Sequence, residues 1–394
     1  MPGLRAVLLL LMLAVAAAAV QPVYRVSADT IFLPLDGVAL NAHTGRVVWR
    51  FPRYRGQTYT DGHGLLLLSW MAAVAPHLHV RTFRLCRLRT SDGHKLWCHD
   101  FNGLRQWVVD NTGRRIYLLQ PERLQVLTTS DGQPDRGFAL PGAEAGEQTL
   151  MPMPQSGVLL LARERGRVRE ALSYRPGAAG LNVVPVPGDV YPFRGNGRGL
   201  LLYAKPHGEF FLAEPFRLLF GRHQPAPENS FPLAKLDESG FFFTDWQGSK
   251  PVVRGGTYRG VVWKAPRKQS HPQMAITGGT AVMLERLPDG SSRLEGRTLE
   301  GGELQYGDDI AARVGTNPRL YADDGGVVVK TATTISLYDA ARGSRRWEVR
   351  RDEGTLASIA GSAIVFWHGS GVMEALARNN GALLWRIRFR GNRH

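Results

Sequence analysis

The sequence predicts an all-β fold, a propeller of about eight four-stranded blades, and three observations lead there. Four tryptophans each stand four residues after a glycine in one local frame: Leu40–Trp49 (LNAHTGRVVW), Leu88–Trp97 (LRTSDGHKLW), Tyr338–Trp347 (YDAARGSRRW) and Leu376–Trp385 (LARNNGALLW). A fifth copy, Leu127–Gly132, keeps the turn and loses the tryptophan. Gly93 and Gly132 are 39 residues apart, Gly343 and Gly381 are 38 apart, and Gly45 and Gly93 are 48 apart; a period near 40 is that of one propeller blade. Finally, no long apolar stretch of helical period follows the N-terminus.

Each copy reads as a short strand, a polar turn and a second strand. The turn glycines Gly45, Gly93, Gly132, Gly343 and Gly381 supply the positive φ such a turn needs. Trp49, Trp97, Trp347 and Trp385 lie on the second strand, where a large flat side chain wedges against the next blade and contributes roughly 2–3 kcal/mol each.

Strands are expected at residues 30–35, 37–42 and 47–51, a first unit lacking an obvious innermost strand. The second unit runs over residues 58–101, with an insertion at 72–79, and the third over 106–140. The repeat blurs between residues 140 and 300 and is clear again at 327–350 and 356–389. Nine candidate units can be marked; incomplete ones reduce the count to eight, with seven as the alternative. Because the last unit ends in a strong strand, residues of the first unit are expected to pair with the last blade, which would remove free sheet edges.

Residues 1–19 read as a signal peptide: Arg5 supplies the positive start, an apolar run follows, and Ala16–Ala19 offers small residues for cleavage. The run is short for a membrane span, and no cysteine stands near the cleavage region for acylation. Residues 20–394 then form a single propeller domain, exported to the periplasm or outside the cell, with no transmembrane span in the mature chain.

The two cysteines, Cys86 and Cys98, are equidistant from Asp92 at the centre of a turn. Such residues face each other in an antiparallel hairpin, which favours a structural disulfide; two buried free thiols are the alternative. The net charge is +15, and loss of Arg5 leaves +14 by subtraction. An acidic partner suits this excess: a protein of the cell envelope, nucleic acid, an anionic polymer or lipid headgroups.

Two arginine rows are candidates for a basic patch: Arg163, Arg165, Arg167 and Arg169 across a turn at Gly166, and Arg386, Arg388 and Arg390 on the last strand. The competing explanation is an edge strand guarded by charge. No nucleophile elbow, phosphate loop or His-Glu-x-x-His occurs. His77 and His79 share a strand face but lie in the insertion. Asp308, Asp309, Asp323 and Asp324 form acidic pairs in turn-like contexts. No catalytic, cofactor-binding or metal-binding residue is assigned.

The frame Leu-x-Ala-x-Thr-Gly-x-x-x-Trp at Leu40–Trp49 resembles the tryptophan-docking repeat of quinoprotein-like propellers. The resemblance covers the first three units and the last two. It implies either a dehydrogenase using pyrroloquinoline quinone and calcium or a cofactor-free envelope scaffold. The dehydrogenases are longer, and many carry an adjacent cysteine pair that this chain lacks. The expected function is therefore a non-catalytic exported scaffold with no cofactor; the alternatives are a quinone-dependent enzyme with an axial site and a basic module binding nucleic acid or an envelope polyanion.

Overall fold

A computed structural model describes residues 23–389 except 53, 55, 61–63, 71–81, 111, 141–146, 154–156, 165–166, 187–189, 195–199, 205–208, 213–217, 221–233, 237–239, 248–249, 258–261, 268–271, 311–317, 324, 352–353 and 369–370. The signal segment, the insertion at 72–79 with His77 and His79, Arg165 and Arg390 lie outside the described residues.

Among the described residues there are only strands and turns. The first sheet holds β1 (Tyr24–Arg25), β2 (Thr30–Leu33), β3 (Val38–Asn41) and β4 (Val47–Arg50). The second holds β5 (Gly56–Thr60), β6 (Gly64–Trp70), β7 (Thr82–Arg89) and β8 (Lys95–Asn102). The third holds β9 (Gln106–Val109), β10 (Arg115–Gln120), β11 (Arg123–Thr128) and β12 (Pro134–Ala139).

The fourth sheet is longer: β13 (Glu147–Pro152), β14 (Val158–Glu164), β15 (Arg167–Tyr174), β16 (Asn182–Val184), β17 (Val190–Arg194), β18 (Leu200–Ala204), β19 (Glu209–Leu212) and β20 (Leu218–Phe220). The pair Val168↔Val190 joins its two four-strand sets.

Four further four-stranded sheets follow. They are β21 (Ala234–Leu236), β22 (Gly240–Gln247), β23 (Lys250–Thr257) and β24 (Val262–Pro266); β25 (Gln273–Thr277), β26 (Thr280–Arg286), β27 (Ser292–Thr298) and β28 (Leu304–Ile310); β29 (Arg319–Asp323), β30 (Gly326–Lys330), β31 (Thr334–Asp339) and β32 (Arg345–Arg350); and β33 (Thr355–Ile359), β34 (Ala363–His368), β35 (Val372–Ala377) and β36 (Leu383–Arg388). There are thus eight antiparallel sheets, and the nine units marked in the sequence arise because the fourth carries two sets.

The chain divides into two compact units: residues 1–70, 85–98 and 347–394, and residues 71–84 and 99–346. Within the first unit, the first sheet is complete in itself. Tyr24↔Phe32 and Arg25↔Ile31 pair β1 with β2. This corrects the expected closure by strand pairing: β33–β36 is also a complete sheet, and the first and last sheets meet side by side. Ile31, Leu33, Val38 and Leu40 pack in one apolar cluster with Val365, Met373, Ala375 and Trp385. The Ser362 hydroxyl also donates to Asp29 Oδ1 at 2.7 Å. The Gly361 N–H also bonds the Ala28 carbonyl at 2.5 Å, so the two sheets are joined by side-chain packing and by hydrogen bonds between their loops, not by strand pairing.

The second unit uses a different link between first strands. The Gln106 amide donates to the Leu150 carbonyl at 2.9 Å, and its oxygen accepts the Leu150 N–H at 2.7 Å. Gln273 repeats this, donating to the Pro318 carbonyl and accepting the Leu320 N–H. A glutamine amide carries one donor and one acceptor group, so it can bond a neighbouring strand as a peptide group would.

Candidate functional site

The turns set where every outer strand lies. The Gly45 N–H bonds the Asn41 carbonyl at 2.8 Å, and the same five-residue closure recurs at Gly93, Gly132, Gly302, Gly343 and Gly381. All six glycines have φ between 68° and 73°. Asn41, Asp92, Asp131, Asp339 and Asn380 accept a backbone N–H two residues on, which fixes the turn.

Five of these turns, at Gly45, Gly93, Gly302, Gly343 and Gly381, receive an aromatic ring. In the first unit the Trp385 indole donates to the Ala42 carbonyl, Trp49 to Thr90 and Trp347 to Arg378, each at 2.8 Å. In the second unit Trp263 donates to Leu299 at 2.8 Å. Every acceptor stands three residues before a turn glycine. A Cβ on Gly45 would come within 2.8 Å of the Trp385 ring, and one on Gly93 within 2.7 Å of Trp49. The residue opposite four of the rings is small as well: Ala39↔Trp49, Gly255↔Trp263, Gly296↔Tyr306 and Ala375↔Trp385. Large ring, small cross-strand neighbour and bare turn form one packing unit.

This geometry leaves the fourth strand of a sheet as an edge. In the first unit, β4 exposes Val47 (46%) and Val48 (42%) while Trp49 beside them is 6% exposed. Arg46 and Arg50 are exposed on either side of the valines. Arg350 on β32 and Arg388 on β36 are exposed too. Among the described residues the side chains of these four arginines have no hydrogen bond or ion pair, so their donor forks are open to carboxylate or phosphate.

Arg386 differs. Its Nη2 donates to Glu374 Oε2 at 2.8 Å and its Nε at 3.2 Å. Glu374 is wholly buried, and His368 Nε2 and Arg351 Nε approach its Oε1 at 3.3 and 3.5 Å. A buried carboxylate is costly without compensating charge, which is what Arg386 supplies. In the second unit Arg267, its side chain 2% exposed, lies 3.4 Å from Glu285 and 3.9 Å from Glu295; burial pushes its pKa down, yet a guanidinium stays charged.

The expected site residues fall as follows. Cys86 and Cys98 form a disulfide, with Sγ–Sγ 2.11 Å and Cα–Cα 4.1 Å. Trp49, Trp347 and Trp385 are buried, and Trp97 is half-buried. The row at Arg163 does not share one environment: Arg163 on β14, opposite Val168, is half-buried, whereas Arg169 on β15 is exposed beside a register shift. Only the strand placement of Arg167 is described. Arg386 and Arg388 alternate with Trp385 and Ile387 as expected of an edge. Asp308 and Asp309 lie on strand β28, not in a turn, and Asp309 accepts from Arg293 at 3.5 Å; Asp323 ends β29. No group of three or more metal-ligating side chains gathers among the described residues.

Sequence reading missed two docked rings. Tyr306 follows Gly302 by four residues, and its ring occupies the tryptophan place, within 2.2 Å of where a Gly343 Cβ would sit. The spacing would have revealed it had an aromatic been allowed for tryptophan. Trp263 has no matching glycine four residues before it and gave no such signal.

No family model and no curated protein matches the chain. Among solved structures, dipeptidyl peptidase 4 of Porphyromonas gingivalis is similar over 95% of this chain and 60% of its own, at 9% identity and a TM-score of 0.51. The fold is a β-propeller. The propeller NirN, a dihydro-heme d1 dehydrogenase, is similar over 84% of this chain and 72% of its own, at 13% identity and a TM-score of 0.46. BamB of Moraxella catarrhalis is similar over 85% of this chain and 88% of its own, at 12% identity and a TM-score of 0.38. At such identities the likeness concerns fold alone. Among the described residues no helix is long and apolar enough to cross a membrane.

Proposed function

We propose that the protein is a non-catalytic, exported β-propeller scaffold that holds an acidic macromolecular partner in the cell envelope, without a cofactor. The observation carrying this reading is the set of exposed, unpaired arginines Arg46, Arg50, Arg350 and Arg388 in the first unit. An arginine that serves its own fold has a partner, as Arg386 has Glu374; these four have none among the described residues. They are most useful to a carboxylate or phosphate from another molecule. The Cys86–Cys98 disulfide suits an oxidising compartment, in keeping with the signal-like N-terminus and with a scaffold of the quinoprotein-like type.

The test is retention of the mature protein's partner from envelope extract at two salt concentrations. Exposed charges are screened within roughly 8 Å at physiological ionic strength and about 3 Å at 1 M. Partner retained at low salt and largely released at 1 M is the expected result. Retention unchanged by salt would remove the arginines from the explanation. Dye-linked dehydrogenase turnover with added pyrroloquinoline quinone and calcium would overturn the scaffold reading.

A further inference from the structure

We propose that β4 is a docking edge for an acidic, extended segment of a partner protein, which adds to the first sheet as a fifth strand; this rests on the reading of the protein as a scaffold for an acidic partner. The first sheet ends at β4 in the order β1-β2-β3-β4, and a terminal strand presents backbone donors and acceptors on its free side. Among the described residues, four other terminal strands carry residues that protect them. β12 carries Pro134 and ties Asp135 to Arg115 at 2.9 Å. β28 carries Asp308 and Asp309, β32 pairs Arg346 with Asp339 at 2.6 Å, and β36 commits Arg386 to Glu374 at 2.8 Å. β4 has no proline, no acid and no internal ion pair.

The chemistry of β4 selects its occupant. Arg46, Val47, Val48 and Arg50 are exposed around the buried Trp49, with Val48 the extra residue where the register shifts between Leu40↔Val47 and Ala39↔Trp49. Lys95 Nζ, 5.6 Å from the Phe51 ring centroid, adds a cation just past the strand. A strand of alternating glutamate and valine would set a carboxylate opposite Arg46 and Arg50 and an apolar side chain opposite Val47, and such cross-strand pairs are the unit of sheet stabilisation. A second copy of this chain would bring arginine against arginine, which is repulsive. Nucleic acid would leave the valines uncovered and would need exposed aromatics for base stacking, whereas the aromatic of this strand, Trp49, is buried. Strand addition uses the free backbone for affinity and alternate side chains for specificity.

The test is fluorescence anisotropy with a labelled, acetylated heptapeptide Glu-Val-Glu-Val-Glu-Val-Glu. Two control peptides are heptaglutamate and the same heptapeptide methylated on alternate backbone nitrogens, which keeps its charge and removes ladder donors. The parent peptide is expected to bind at least tenfold more tightly than either control. The double variant Arg46→Glu/Arg50→Glu, with a melting curve matching the natural protein's, is expected to lose at least tenfold, and Arg388→Glu less than twofold. A difference below tenfold between the parent and the methylated peptide overturns strand addition, as does absence of binding by the parent peptide. In either case, salt-sensitive retention of the envelope partner would leave the scaffold reading standing, and loss of that retention would remove both.

Discussion

The contact between Trp385 and Gly45 joins residues 340 positions apart and can be tested as a pair. Trp385 is 9% exposed, and its indole N–H meets the Ala42 carbonyl at 2.8 Å. Trp385→Ala removes a large buried ring and its hydrogen bond, a change that costs roughly 3–5 kcal/mol. Gly45→Ala acts at the other side of the same contact. At φ 68° an alanine costs about 1 kcal/mol in backbone strain, and its Cβ would meet the ring at 2.8 Å, adding roughly 1–3 kcal/mol of overpacking. In the double variant the ring is gone, so only the backbone strain remains. The two changes should therefore cost less together than their sum, by roughly 1–3 kcal/mol. Urea unfolding midpoints of the natural protein, both single variants and the double variant measure this coupling. Additivity within about 0.5 kcal/mol would mean that the first and last sheets do not meet through this contact in solution.

Other outcomes are equally specific. Exported protein, alkylated without reduction, should show no reactive thiol, and reduction should lower stability by roughly 2–3 kcal/mol for so short a loop; two alkylatable thiols before reduction would refute the disulfide. Tyr306→Trp should raise thermal stability, gaining roughly 0.5–1.5 kcal/mol by giving the Ala340 carbonyl the indole donor that Trp49, Trp263, Trp347 and Trp385 give their own acceptors; a lowered melting temperature would show that Gly296 and Gly343 leave no room for the larger ring. The hydrogen bond from Arg346, followed by the Arg342 and Ala341 N–H groups, holds the Asp339 carboxyl below its usual range. A depressed folded-state pKa means that this stabilisation is complete above about pH 4, the ordinary aspartate value, and is lost as the pH falls further. Asp339→Asn should flatten the stability loss below pH 4, and an unchanged acid limb would contradict that role.

The fold was legible because its signal is redundant. A glycine and a tryptophan four residues later coincide with a turn acid or amide at Gly45, Gly93, Gly343 and Gly381, the polar residue standing four before the glycine at Asn41 and Asp339 and one before it at Asp92 and Asn380. The signal weakens where any member is replaced. Gly132 keeps the turn with Arg136 in the aromatic place, and Tyr306 keeps the ring but differs from tryptophan. Closure was harder to read. Whether β1 exists depends on two residues, Tyr24 and Arg25, and a two-residue strand has no periodicity. The arginines of the surface were visible as residue types, but their availability was not. Arg386 and Arg388 are two positions apart on one strand; only the buried Glu374 on the neighbouring strand separates a paired cation from an open one. Pairing across strands depends on register, which single-chain alternation does not contain.

The division between repeat and function can be followed along β4 itself. Trp49 and the turn glycine Gly45 are held by their neighbours: the ring rests on Gly93 and lies opposite Ala39, and the glycine receives Trp385. None of these positions tolerates change without loss of packing. The side chains at 46, 47, 48 and 50 face solvent. A sheet whose stability comes from the turn and the ring leaves those positions free to take whatever a partner requires. At the same distances from Gly302, β28 and its turn carry Glu303, Leu304, Gln305 and Gly307, where β4 and its turn carry arginines and valines. The propeller therefore presents edges of different charge built on the same packing unit. A partner that distinguishes β4 from β32 and β36 must read the exposed side chains between glycine and ring, since the docked ring is a tryptophan in all three.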